Sequence, residues 1–119
     1  MNKREMLITL HILDTIEEIE TYMNQSACNT LNDFKNNSML KRAVTMCMIS
    51  ISEIVGNFSE EFQKENPLIN IKQFKQLRNI AAHNYGAISF SKLYDAVNLE
   101  LPTFKAQLER VLNSQSNDM

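Results

Sequence analysis

Residues that break helices or form tight turns are scarce in this chain, which has two glycines and two prolines among its 119 residues. Hairpins rely on such residues at their turns, whereas both residue types weaken a helix interior. The scarcity therefore predicts a mostly helical fold. A chain of this length is also expected to form a single domain whose core needs no disulfide bonds.

Four apolar patterns with helical spacing cover most of the chain, at 3–24, about 38–58, about 70–85 and 89–112. Shorter helices are predicted over 30–37, where Thr30 can cap, and over 59–70, where Ser59 can cap and a proline ends the helix. Pro102 lies inside the last pattern and should kink or divide that helix. The sequence thus predicts an all-α antiparallel bundle of four main helices plus short helices.

The first two long helices are predicted to bury different shares of their surface. The first has one apolar stripe, made of Leu7, Leu10, Leu13, Ile16, Ile19 and Met23. Its glutamates fall mostly off that stripe, and His11 is expected at the surface or facing a partner. The second helix is apolar on most sides, which predicts either a central core helix or one that also faces another subunit.

Charge and cysteine content narrow the class of protein. A formal net charge of −2 argues against a broad electrostatic grip on nucleic acid, although a local basic site remains compatible with it. Cys28 and Cys47 lack a CxxC spacing and are expected to be small apolar residues. No metal site, cofactor, signal peptide or membrane span is predicted, and the protein is expected in the cytoplasm. We expect one helical domain over 1–112 and a polar tail over 113–119.

The stretch LRNIAAHNYGA, at 77–87, concentrates the polar chemistry of the chain. On a helix of about 100° per residue, Lys72, Lys75 and Arg78 step by three and lie near one side. Tyr85 follows Arg78 by seven residues and returns to within about 20° of it. The spacing therefore predicts a narrow basic strip in which Arg78 can grip a phosphate with its planar guanidinium.

His83 lies about 140° around the same helix from Arg78, so one regular helix would not aim both at one small group. The helix could loosen where Asn84 and Gly86 tolerate a left-handed backbone. Alternatively, two copies of the chain could pack across a two-fold axis, so that arginine and histidine from both meet in one cleft. We favour the second arrangement as part of the explanation of how Arg78 and His83 act on one group.

Histidine and arginine together can cleave RNA without a metal ion. Histidine moves protons near neutral pH, and arginine stabilises negative charge on a phosphoryl group. Asn79 and Asn84 could position the phosphate or hold the imidazole. A structural interpretation competes with this one: His83 would only neutralise a helix end, and Arg78 would only pair with Glu53 or another carboxylate.

The segment from Arg78 to Tyr85 fits the R-x-x-x-x-H-x-Y motif of HEPN-domain proteins of the HepT type, which the chain resembles. Residues 65–112 follow that family closely, and the first helix and 39–56 follow it more loosely. The resemblance implies a HEPN helical bundle, usually a homodimer with the motif at the dimer cleft. It also implies a metal-independent endoribonuclease that acts on RNA as the toxin of a toxin–antitoxin pair.

The resemblance implies roles for individual residues as well. Arg78 and His83 would be catalytic. From their chemistry and position, Asn79, Asn84, Lys75 and Glu53 are expected to bind substrate or support the site. The antitoxin would be a minimal nucleotidyltransferase of the MntA type, which transfers AMP from ATP onto the motif tyrosine, here Tyr85. An alternative from a different class is a non-enzymatic HEPN module that binds nucleotide, RNA or substrate for a partner nucleotidyltransferase.

Overall fold

The computed structural model describes residues 2–75 and 89–117, with side chains as far as residue 114. In chain order the helices are α1 (Lys3–Gln25), α2 (Leu31–Lys35), α3 (Ser38–Val55), α4 (Glu60–Glu65), α5 (helical residues 71–75), α6 (Phe90–Asp95) and α7 (Leu101–Asn117). One π-helical turn, Ala96–Glu100, joins α6 to α7. These ranges contain no strand, so the all-α prediction is confirmed. None of the described helices is both long and apolar enough to cross a bilayer.

Short polar side chains fix where the first four helices begin. The Asn2 side chain accepts a hydrogen bond from the Glu5 N–H at 2.8 Å, and Asn37 accepts one from Leu40 at 3.0 Å. Thr30 and Ser59 cap α2 and α4, as predicted. Each cap satisfies a backbone N–H that has no partner inside its helix. Nearby residues in the sequence therefore determine where these helices start.

The core lies between α1, α3 and α7. Helices α1 and α3 are antiparallel. This follows from the hydrogen bond that Arg4, near the start of α1, donates to the Asn57 carbonyl just after the end of α3. On another side of α1, Lys105 of α7 forms an ion pair with Glu20 at 2.8 Å. The largest fully buried side chains are Phe34, Phe74, Phe104, Ile12, Ile16, Ile19, Met48, Ile51, Leu101, Leu108, Val44 and Val55.

The predicted inward stripe of α1 is wrong in the first half of the helix. Leu7 and Leu10 are 58% and 43% exposed, and the face turned inward there carries Glu5, Thr9 and Ile12 instead. Residues on both faces recur every three to four positions. The spacing of the leucines therefore could not show that they lie on the outer face. The later part of the stripe, Ile16, Ile19 and Met23, is buried as predicted.

Helix α3 leaves one strip of its surface exposed within this chain. Its inward face consists of Leu40, Val44, Met48, Ile51 and Val55. On the opposite side Met39 is 84% exposed and Met46 is 59% exposed. The helix is thus buried or partly buried on most sides, as predicted, and exposed along one strip. The alternative, that it also faces another subunit, stays a prediction. The helix also ends at Val55, three residues before the predicted Phe58.

The last helical pattern is divided as Pro102 predicted. The N–H of Leu101 donates to the carbonyl of Ala96, five residues back, which makes a π turn directly before the proline. Pro102 has no N–H to continue the regular pattern. Beyond it α7 runs to Asn117, so the backbone expected to fray from 113 is still helical there. Neither glycine nor proline follows Pro102 to end the helix.

Candidate functional site

The helix that leads into the predicted motif begins where the sequence placed it. Asn70 accepts a hydrogen bond from the Gln73 N–H at 3.2 Å, and the helix starts at residue 71. The Asn70 amide also donates to the Gln73 side chain at 2.8 Å. This double contact fixes the direction in which the chain enters the motif.

Phe74 anchors that helix to the core. Its side chain is 1% exposed and stacks on Phe104 of α7, with ring centroids 4.2 Å apart and an interplanar angle of 21°. Ile71, one turn earlier, is also buried. Offset aromatic stacking adds to the burial of both rings. The face of α5 that points into the bundle is therefore set four residues before Arg78.

Two lysines occupy the other side of α5. Lys72 and Lys75 are exposed, one turn apart, while Ile71 and Phe74 face the core. This arrangement confirms the first two positions of the predicted basic strip. The predicted supporting residue Lys75 is thus open to solvent and able to meet an anionic ligand.

The predicted catalytic and modified positions lie outside the described residues. These are Arg78, Asn79, His83, Asn84 and Tyr85. Their roles, the angle between the arginine and the histidine, and the predicted pairing with Glu53 therefore remain predictions.

The chain beyond the motif is anchored on a second aromatic cluster. Ser89 caps α6 by accepting from the Lys92 N–H at 3.3 Å. Phe90 packs edge-on against Phe34 at 6.4 Å, and the Lys41 ammonium lies 4.7 Å from the centre of the Phe90 ring. Such a cation–π contact adds to the hydrophobic contact. Both flanks of the motif are thus fixed to the bundle by phenylalanines, the buried Phe74 and the partly buried Phe90.

Glu53 lies in the last turn of α3 with its side chain exposed. It takes part in an interaction within its own chain. Because the side chain is exposed, water also solvates the carboxylate and leaves it able to accept further hydrogen bonds. The sequence marks Glu53 as a possible partner of Arg78 and as a supporting residue of the site, and both roles stay predictions.

A depression beside the start of α5 was not foreseen from the sequence. Its volume is about 430 Å³. The lining residues are Gln63, Pro67, Leu68, Ile69, Asn70, Ile71 and Lys72. Backbone turns of the α4–α5 connection form most of it, and a residue pattern cannot predict such a shape. Among the described residues that line it, Lys72 is the only charged one, and it belongs to the basic side of α5.

Neither cysteine supplies a reactive nucleophile at neutral pH. Both are free thiols. Burial, and next the charge of Glu18, raises the pKa of Cys47 to about 11, and burial also raises the pKa of Cys28. A protonated thiol is a poor nucleophile and a poor metal ligand. Within 2–75 and 89–114, no group of three or more histidine, cysteine or acidic side chains is placed to hold a metal ion.

Comparison with known families gives one match that spans most of the chain. The family described as "Ribonuclease HepT-like" matches residues 12–111. The matched span includes the basic side of α5, both aromatic anchors and the whole motif from Arg78 to Tyr85. No solved structure gives a significant match to the chain.

Curated relatives from Methanocaldococcus jannaschii match over nearly the same length. Two proteins named "putative RNase" are 24% and 28% identical over 112 and 111 residues, or 94% and 93% of this chain and 91% and 100% of theirs. A third, named "gamma-glutamylcyclotransferase and putative RNase", is 27% identical over 112 residues, which is 94% of this chain and 49% of that protein. Ribonuclease is the function that all three names share.

Proposed function

The chain belongs to the HepT-like ribonuclease family, and from this premise we propose that it is a metal-independent endoribonuclease that acts as the toxin of a toxin–antitoxin pair. The observation that carries the proposal is that the family match spans the R-x-x-x-x-H-x-Y segment, from Arg78 to Tyr85. Two exposed lysines precede that segment on a helix whose opposite face is buried.

The proposed reaction uses the 2′-hydroxyl of RNA as the nucleophile. His83 takes the proton of that hydroxyl, and the oxygen attacks the neighbouring phosphorus while the bond to the 5′-oxygen breaks. A protonated His83 from the second copy returns a proton to the departing 5′-oxygen. Arg78 stabilises the negative charge on the phosphoryl oxygens. The products are a 2′,3′-cyclic phosphate and a 5′-hydroxyl, and DNA is not a substrate because it lacks the attacking group.

The supporting groups have distinct proposed tasks. Lys75 is exposed one turn before Arg78 and attracts the RNA backbone. Asn79 and Asn84 orient the phosphate or the imidazole through hydrogen bonds. Glu53 holds a cationic side chain of the site in position. In this proposal two copies complete the cleft, because on a regular helix Arg78 and His83 of one chain would lie about 140° apart.

Tyr85 is the proposed point of control. A minimal nucleotidyltransferase of the MntA type transfers AMP from ATP to the phenolic oxygen of Tyr85, and pyrophosphate leaves. The added phosphate places negative charge beside Arg78, where it competes with the phosphates of RNA. The bulk of the nucleotide also fills the cleft.

RNA cleavage by purified protein, in the presence of a metal chelator, tests the proposal. Wild-type protein should cut a mixed RNA substrate, while His83→Ala should lose about 10²-fold or more of that activity. Arg78→Ala should lose a similar amount. His11→Ala is the matched control, since His11 is the only other histidine and is exposed on α1.

Two results would reject the proposal. If wild type leaves RNA intact under all conditions and Arg78→Ala weakens binding of nucleotide or RNA, the chain is a non-enzymatic binding module instead. If Arg78→Ala and His83→Ala change only the melting temperature, the motif is structural.

A further inference from the structure

Helix α3 carries a second apolar face that nothing within the described residues covers. We define the α3 outer face as Met39, Arg42, Met46, Ile49 and Glu53. These residues are spaced by three, four, three and four positions. That spacing is the seam of one helix packed along another. Met39 and Met46 are 84% and 59% exposed, Arg42 and Glu53 are exposed, and Ile49 is partly buried.

This face carries two charges of opposite sign. Arg42 and Glu53 are eleven residues apart, which is about 16 Å along the helix and within about 20° around it. Met46 and Ile49 lie between them. Arg42 makes no ion pair with any residue in 2–75 or 89–114. A guanidinium group on an apolar seam thus lacks a described partner, and the only carboxylate on the seam lies three turns away.

A two-fold axis would pack this face against the same face of a second copy. If a second α3 lies antiparallel across the midpoint of the seam, Arg42 of one copy falls opposite Glu53 of the other, and Met46 falls opposite Ile49. A parallel arrangement would instead place arginine against arginine and glutamate against glutamate. The charge pattern therefore favours the antiparallel, isologous contact.

We infer that the α3 outer face is the contact between two copies of this chain, with Arg42 of each copy paired to Glu53 of the other. Methionine suits such a contact, because its unbranched side chain fits an irregular partner surface. Glu53 already interacts within its own chain, and a carboxylate accepts from several donors at once. The second copy thus contributes Arg42 as a partner of Glu53, which we propose to be a supporting residue of the site.

This inference specifies the surface through which the two copies of the proposed function meet. It rests on the proposed function only in assuming that two copies form the cleft. Its readout is the mass of the full-length protein in solution, measured by sedimentation. RNA cleavage is measured separately on the same samples. A failure of the contact surface and a failure of the ribonuclease proposal are therefore distinguishable.

Charge exchange across the seam is the test. Wild type should sediment as a dimer, at twice the chain mass of 13.8 kDa. Arg42→Glu should weaken the dimer by about tenfold or more, because two symmetry-related pairs change from attraction to repulsion. Glu53→Arg should do the same, and the double variant R42E/E53R should recover the dimer. The control is Arg110→Glu, which reverses an exposed arginine on α7 and should leave the mass unchanged.

Three outcomes would overturn the inference. Wild type could be monomeric at tens of micromolar, about where weak specific dimers already form. Arg42→Glu and Met46→Glu could both remain dimeric, which would place the contact elsewhere. The double variant could stay monomeric while circular dichroism shows it folded, which would mean that Arg42 and Glu53 do not face each other. RNA cleavage by a wild-type protein that is monomeric would overturn the inference and leave the ribonuclease activity standing.

Discussion

The Glu5 carboxylate accepts a hydrogen bond from the backbone N–H of Ser59 at 3.3 Å, which joins the first turn of α1 to the start of α4. Glu5 is buried, and its second carboxylate oxygen has no hydrogen-bond partner among the described residues. The first turn of a helix favours a negative charge, so both helix starts stabilise this carboxylate. The contact also explains why α1 turns Glu5 rather than Leu7 towards the core.

Removal of that carboxylate should destabilise the fold. Glu5→Ala is expected to lower the free energy of unfolding by about 1–3 kcal/mol, because the Ser59 N–H loses its acceptor. Glu5→Gln should cost less, since its carbonyl oxygen can still accept the bond. Urea denaturation measures both, with Glu17→Ala on the exposed side of α1 as the control. A Glu5→Ala protein as stable as wild type would contradict this account.

The anchor of the motif helix should be equally sensitive. Phe74→Ala is expected to cost about 3–5 kcal/mol, since the ring is fully buried and stacks on Phe104. Phe74→Leu should cost less, because it refills most of the space. Thermal unfolding can compare these variants with Leu68→Ala, whose side chain is 78% exposed and should matter little. If Phe74→Ala melts with wild type, α5 is not held to the bundle as described.

The stability of the folded protein at alkaline pH should depend on the protonation of the Cys47 thiol. Its pKa is raised to about 11 in the folded protein, from an ordinary value of 9.0, so the folded state holds this proton more tightly than the unfolded state. That contribution to stability is complete below pH 9 and is lost as the pH rises towards 11. Between about pH 8 and about pH 10.5, wild type should therefore lose more stability than Cys47→Ala. Urea unfolding at several pH values measures this difference, and equal slopes for the two proteins would contradict it.

Modification of the motif tyrosine should be selective. When the chain is incubated with ATP and a minimal nucleotidyltransferase of the MntA type, its intact mass should rise by one or more AMP units. Tyr85→Phe should remove that increase, whereas Tyr22→Phe should not, because Tyr22 lies on α1 and donates to Glu18. Modified protein should also lose RNA cleavage. A mass increase that persists in Tyr85→Phe would assign the modification to another residue.

The sequence predicted the helical class and most helix starts, because these depend on local features. Thr30 and Ser59 are short side chains that bind nearby N–H groups, and Pro102 interrupts the regular bonding of its own helix. The inward face of α1 could not be predicted, because it depends on Ser59, 54 positions away from Glu5. Periodicity identifies that a helix has an apolar stripe but does not say which of two faces the rest of the fold covers.

The candidate site was predicted to a smaller extent. The exposure of Lys75 follows from the helical spacing of the predicted basic strip, and it is found. The depression beside α5 depends on the path of the α4–α5 connection, which no residue pattern specifies. The outer face of α3 was expected to be buried on the strength of its composition. Its heptad spacing, with Arg42 and Glu53 on either side of Met46 and Ile49, became informative only once the exposure of these residues was known.

The central claim is that this chain cuts RNA by attack of a 2′-hydroxyl, with His83 as the base. The most direct measurement uses a short RNA that the wild-type protein cleaves at one position, together with the same RNA carrying a single 2′-deoxy nucleotide there, both in a metal chelator. The account predicts a 2′,3′-cyclic phosphate product from the first RNA, none from the second, and none from either with His83→Ala. Cleavage of the deoxy-substituted RNA at the same position, or full activity of His83→Ala, would contradict it.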